Sequence, residues 1–139
     1  MEWAYGVLTT LQPLADALDV TLAELPDRVW PEVAPTGTAS PWVVYNIAPP
    51  VDVLSIGSAP RLMSGVSLTV QVVGQVRSYD SLTDAARVIY DAMHGALNRP
   101  VPAGGVILTA RREGGVQYPE QAAGIEYRHL GHTFQVEVQ

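Results

Sequence analysis

The chain has 139 residues, 47% hydrophobic and 16% charged, with a formal net charge of −6; that balance describes one folded domain with a real core and excludes a disordered chain. It contains no cysteine, which excludes a disulfide framework, a thiolate metal site and cysteine-based nucleophilic catalysis. All eight basic residues are arginine, against fourteen carboxylates, so there is no basic stripe to neutralise a series of phosphates and sequence-specific nucleic-acid binding is disfavoured.

Met1 to Gly6 lacks a basic n-region and no apolar run approaches the roughly 20 residues that span a bilayer, so the expectation is a cytosolic product without an export signal and without a membrane partner. Trp3, Val7, Leu8, Leu11, Leu14, Ala15 and Leu18 recur at the spacing of one helical face, which predicts a helix over 2–18. Pro13 interrupts it, with two short helices preferred over one kinked near Thr9. Thr21 and Glu24 have capping-box spacing for one further turn, which Pro26 is expected to end. Arg28-Val29-Trp30 reads as a short extended piece closed by Pro31, and 34–41 as a loop.

Trp42 to Ile47 is a dense β-branched and aromatic run, hence a strand, ended by Pro49-Pro50; a short strand over 51–56 and a loop over 57–65 follow. From Val66 to Val76, apolar and polar residues alternate with period two, the signature of a long half-buried strand, and Gly74 marks a bulge or the close approach of another backbone. Ser81 to Asp84 repeats the capping pattern and opens a second main helix whose apolar stripe runs from Leu82 through Ala85, Ala86, Ile89, Ala92, Met93 and Ala96 to Leu97. Thr83, Arg87, Asp91 and His94 form its wet face. Pro100 and Pro102 stop it, Gly104-Gly105 turns the chain, Val106 to Arg111 reads as a strand, and 112–124 as a polar loop. The last strand is expected over 126–138. Tyr127 has the opposite parity to Phe134, Val136 and Val138, so a register shift is required, with Gly131 as the bulge site. This order is not an alternating βαβ pattern; it favours α+β, a mainly antiparallel sheet with two principal helices on one face.

Little chemistry is visible. His129 and His132 form the one close histidine pair, but in a strand they point to opposite faces unless Gly131 realigns them. Asp80, Asp84 and Asp91 are better read as helix-start residues than as paired acid-base carboxylates. No Gly-x-Ser-x-Gly elbow surrounds a serine, and a phosphate-binding loop ending in lysine cannot exist here. Trp30, Trp42 and Tyr45 are read mainly as anchors of loop to core rather than as a stacking platform. No catalytic residue, cofactor or metal site is assigned.

The order of features, carried by Arg28 to Pro35, by Ser40-Pro41-Trp42-Val43-Val44-Tyr45, by the long alternating strand, the capped helix and the closing Tyr127-to-Val138 strand, resembles the tail-completion or tail-terminator proteins of long-tailed bacteriophages. The resemblance implies a non-enzymatic virion subunit, assembled in the host cytoplasm. It would form a ring, typically hexameric, at the head-proximal end of the tail tube and contact the tube protein and a head-completion or neck protein. DNA would pass through the lumen without specific binding, which the acidic balance would favour. A ring subunit needs two complementary patches; the candidates are Arg61, Leu62 and Met63, the Arg111, Arg112, Glu113 segment, and Tyr118 with Glu120. Competing readings are a neck or head-closure protein, a small enzyme or ligand-binding domain using the two histidines, and a regulatory binding module.

Overall fold

In the computed structural model, which describes residues 2–48, 51–54, 61–95, 97–100 and 106–138, the chain is α+β: a seven-stranded, mainly antiparallel sheet with its helices on one face. The N-terminal helix is split, as Pro13 dictates, into α1 (Glu2–Thr9) and α2 (Gln12–Ala17). Proline is tolerated in the first turn of α2 because no intrahelical partner exists there for its missing N–H. The Thr9 and Thr10 hydroxyls donate to the Tyr5 and Gly6 carbonyls at 2.8 and 2.7 Å, satisfying acceptors that the broken helix leaves open. Thr21 and Glu24 cap each other reciprocally. Pro26 does not end the turn: it lies inside a 3-10 helix over Leu25–Arg28.

Strand β1 (Val29–Pro31) runs parallel to β2 (Trp42–Ile47), whose other edge pairs antiparallel with β4 (Arg61–Gly74). Beyond β2 on that same edge lies β3 (Val51–Leu54). β4 begins earlier than expected, taking 61–65 from the expected loop; residues 55–60, including the end of the expected 51–56 strand, lie outside the described residues. Val66, Leu68, Val70 and Val72 are buried under the helices, as their alternation requires. Val76 lies past the end of the strand, partly buried against the core. Gly74 makes no bulge. A Cβ there would come 3.0 Å from the Leu82 side chain and within 3.6 Å of Ser40 and Pro41, so the close approach is by side chains rather than by backbone.

The cap of the next helix is Ser78, not Ser81: its hydroxyl oxygen accepts from the Asp80 N–H and opens a 3-10 turn over Tyr79–Leu82 that leads into α3 (Thr83–Met93). Leu82, Ala85, Ala86, Ile89 and Met93 are buried on the sheet. The helix ends at Met93 and not near Leu97, because His94 is extended and Gly95 takes a left-handed φ of 81°. Leu97–Pro100 is instead an edge strand, β5; Ala96 and 101–105, with the expected glycine turn, lie outside the described residues.

The largest departure is at 112–124. This segment is strand: β6 (Val106–Ala122) pairs with β7 (Ile125–Val138) through a two-residue turn, Ala123 and Gly124, both at positive φ. Register shifts occur in β6, between Ile107 and Thr109 and between Arg112 and Gly114. β7 stays in register with β4 from Ser64↔Val138 to Gly74↔Arg128, so Gly131 is not a bulge. Its role is steric, since a Cβ at Gly131 would overlap the Val70 carbonyl and the Gln71 backbone. Tyr127 needs no shift either; it faces the side of the sheet away from the helices.

Gly131→Ala is therefore expected to cost about 3 kcal/mol or more, the upper end of overpacking penalties. Gly114→Ala, where an added Cβ meets nothing within 4 Å, should change stability by less than about 1 kcal/mol. Urea midpoints of the two variants check this, and equal midpoints would contradict it.

Candidate functional site

The helices cover one face of the sheet; on the other, a loop over residues 32–38 folds across part of the surface. Its first turn depends on Glu32, which adopts a left-handed φ of 61° while its N–H donates to the Tyr45 carbonyl at 2.8 Å. Between this loop and the β6–β7 hairpin lies a cleft of about 650 Å³. Its walls are aromatic: Trp42 meets Tyr127 edge-on at 5.8 Å, and Tyr118 stacks on His129 at 4.2 Å with 13° between the rings.

His129 is only 7% exposed, yet neither ring nitrogen has a hydrogen-bond partner, and the buried Gln71 Oε1 is also unpaired. The Glu120 carboxylate lies 3.4 Å from Nε2, an ion-pair distance but too long for a well-formed hydrogen bond. Glu32 and Glu120 stand among the lining residues, and no arginine does. The cleft is thus flat-walled, rich in acceptors and lacking a cation of its own.

On the helix face, a different cluster ties the hairpin to α3. His132 donates from Nε2 to the Ala86 carbonyl at 2.8 Å and accepts at Nδ1 from Arg112 Nε at 2.9 Å, which assigns the neutral tautomer. The Arg112 N–H donates to His94 Nδ1 at 3.0 Å, and Tyr90 stacks on His94 at 4.8 Å. Burial pushes the His132 imidazole below its ordinary value, outweighing the Ala86 carbonyl, and the Arg112 charge adds to the depression. These groups hold the β6 irregularity against the helix, a structural task.

The residues expected at interfaces do not form one patch. Arg61, Leu62 and Met63 lie on the part of β4 paired with β3, past the last partner that β7 offers, at one end of the sheet. Tyr118 and Glu120 lie toward the other end, opposite His129 and Tyr127. Arg111, Arg112 and Glu113 fall between, with Arg112 engaged by His132 and Arg111 exposed. His129 and His132 point to opposite faces, as strand parity requires, and cannot act on one ligand. Asp80 and Asp84 sit in the opening turns, Asp84 beside Arg87 at 3.3 Å. Tyr45 anchors the core as expected, whereas Trp42 is half-buried in the cleft. The sequence reading missed the cleft itself; its available signal was the far-face parity shared by Trp42, Val44, Val73 and Tyr127. Among the described residues no three His, Asp or Glu side chains come together to hold a metal, and no helix is long and apolar enough to cross a membrane.

No protein-family model and no curated protein matches the chain. A solved structure of the virion of a native gene transfer agent particle contains a chain similar to this one. The two share a TM-score of 0.68 over 97% of this chain and 90% of that chain, at 16% sequence identity. The likeness shows the fold.

The His132 arrangement makes stability pH-dependent. The folded value lies below 6.5, so just below that pH the unfolded chain binds more protons than the folded one; the contribution is complete above about pH 6.5 and is lost as pH falls toward the folded value. Urea midpoints at about pH 7.5 and about pH 5 should therefore differ more for the natural chain than for His132→Gln, and equal differences would contradict the assignment.

Proposed function

We propose that the chain is a structural subunit of a phage-type virion, a single domain that assembles into a tail-terminator ring at the head-proximal end of the tail tube and contacts the tube protein and a head-completion protein. The observation that carries this reading is the fold shared, over nearly the whole of both chains, with a component of the gene transfer agent virion. The likeness extends over 97% of this chain and 90% of that chain, so it is not confined to a short shared segment.

The sheet supports assembly in its own right. Among the described residues β5 pairs with β6 between Pro100↔Val106 and Leu97↔Thr109. The Gly95 N–H then donates to the Ala110 carbonyl and the Arg112 N–H to His94. From Glu113 to Ala122 the outer edge of β6 has no partner strand among the described residues. Such an edge accepts a strand or loop from a neighbouring chain. The proposed interface residues also stand at separate places, Arg61 to Met63 at one end of the sheet and Tyr118 with Glu120 toward the other, as a closed ring of heterologous contacts requires. No group is assigned a catalytic role.

Light scattering coupled to size exclusion, over a range of protein concentration, tests the ring. The expected species is near six times the chain mass of 14.9 kDa, about 89 kDa, and appears as rings by negative stain. A mass of one chain at every concentration would count against self-assembly.

A further inference from the structure

We infer that the far-face cleft receives the guanidinium of Arg111 from a second copy of this chain. The inference rests on the ring-forming reading and names the contact that closes it.

The cleft lacks positive charge: two carboxylates and no arginine are among its lining residues. Gln71 Oε1 is a buried acceptor without a partner, the His129 nitrogens are unpaired, and the Glu32 and Glu120 carboxylates line a space with no arginine of its own. Its walls, Trp42, Tyr118 and Tyr127, offer flat aromatic faces. A guanidinium group is planar, carries five donors and no acceptor, is always charged and stacks on aromatic rings. It complements the carboxylates, the unpaired Gln71 acceptor and the aromatic faces, and every lysine-or-arginine position of this protein is an arginine.

Among the arginines whose side chains are described, Arg77 and Arg111 are exposed and make no ion pair; Arg77 stands two residues from Gln75 on the rim of its own cleft, so Arg111 is the donor held away from it. Arg28 donates to the Pro41 carbonyl, Arg87 pairs with Asp84, Arg112 bonds His132, and Arg128 pairs with Glu126 at 2.7 Å. Arg111 is exposed and makes no ion pair among the described residues. Ala110 beside it is buried in the core, so Arg111 points to the same far face as Tyr118 and Glu120. Its strand partner Gln135 lies eight positions along β7 from Tyr127, the partner of Glu120, about 27 Å at the usual rise, so Arg111 cannot reach Glu120 of its own chain. A donor and an acceptor site on one face and far apart cannot meet within a subunit, but a head-to-tail ring brings them together.

The test measures self-association of the full chain by sedimentation equilibrium for the natural protein, Glu120→Gln, Arg111→Ala and the exchanged pair Arg111→Glu with Glu120→Arg. Far-UV circular dichroism verifies folding of each. Each single substitution should weaken association about tenfold or more, and the exchanged pair should recover to within about threefold of the natural chain. Arg77→Ala, an exposed arginine near the cleft's own end, should leave association unchanged. If the natural chain associates and the single variants associate equally well, or the exchanged pair stays as weak as they are, the Arg111 contact is overturned while the ring stands. If the natural chain never associates, ring and contact fall together.

Discussion

The pairing of β4 with β7 holds the molecule together. Eleven consecutive cross-strand pairs, from Ser64↔Val138 to Gly74↔Arg128, join the half of the chain that carries α1, α2 and β2 to the C-terminal hairpin. Their inner face sets Val66, Leu68, Val70 and Val72 beside Phe134 and Val136 under the helices, a row of large apolar side chains almost wholly removed from water. That burial is the main favourable term for the fold. Continuity of the ladder depends on Gly131, where any side chain would collide with the β4 backbone. Everything functional is placed by this ladder, because it fixes how far the β6–β7 hairpin runs past β4 and which of its residues face away from the helices.

Residues whose neighbours in sequence are also their neighbours in space were legible. The helix broken at Pro13, the strand at 42–47, the greater part of the strand expected at 66–76, and the apolar stripe of α3 follow from period and proline alone. The hairpin tip was not. Its turn is Ala123-Gly124, with Ala123 in a left-handed conformation that a sequence reading expects of asparagine or glycine, and its strands are polar on both faces, so neither a turn signal nor alternation marked 112–124 as strand. The end of α3 was misread because Ala96 and Leu97 continue the apolar spacing past Gly95, whose positive φ ends the helix first. Tyr127 was legible as an anomaly but misassigned: its parity reflects a second, smaller apolar surface on the far face and not a bulge.

The two faces of the sheet have different tasks. The helix face is closed by packing, and its polar residues are used internally, with His132, Arg112 and His94 linked to one another and to the Ala86 carbonyl. The far face keeps unpaired acceptors, carboxylates and half-buried aromatic rings under a loop that starts at a strained glutamate. Unpaired polar atoms in a dry setting cost free energy, and the proposed contact between subunits would offset part of that cost. Together with the open edge of β6, this is the surface on which the proposed assembly draws.

The proposed place of the chain, as a terminal ring of a phage-type tail, is tested by electron cryomicroscopy of tubes assembled from a phage-type tail-tube protein, in the presence and absence of the purified chain. One added ring of density is expected at a single end of each tube, into which copies of this fold can be placed. Tubes bare at both ends, with the chain left in solution, would contradict it.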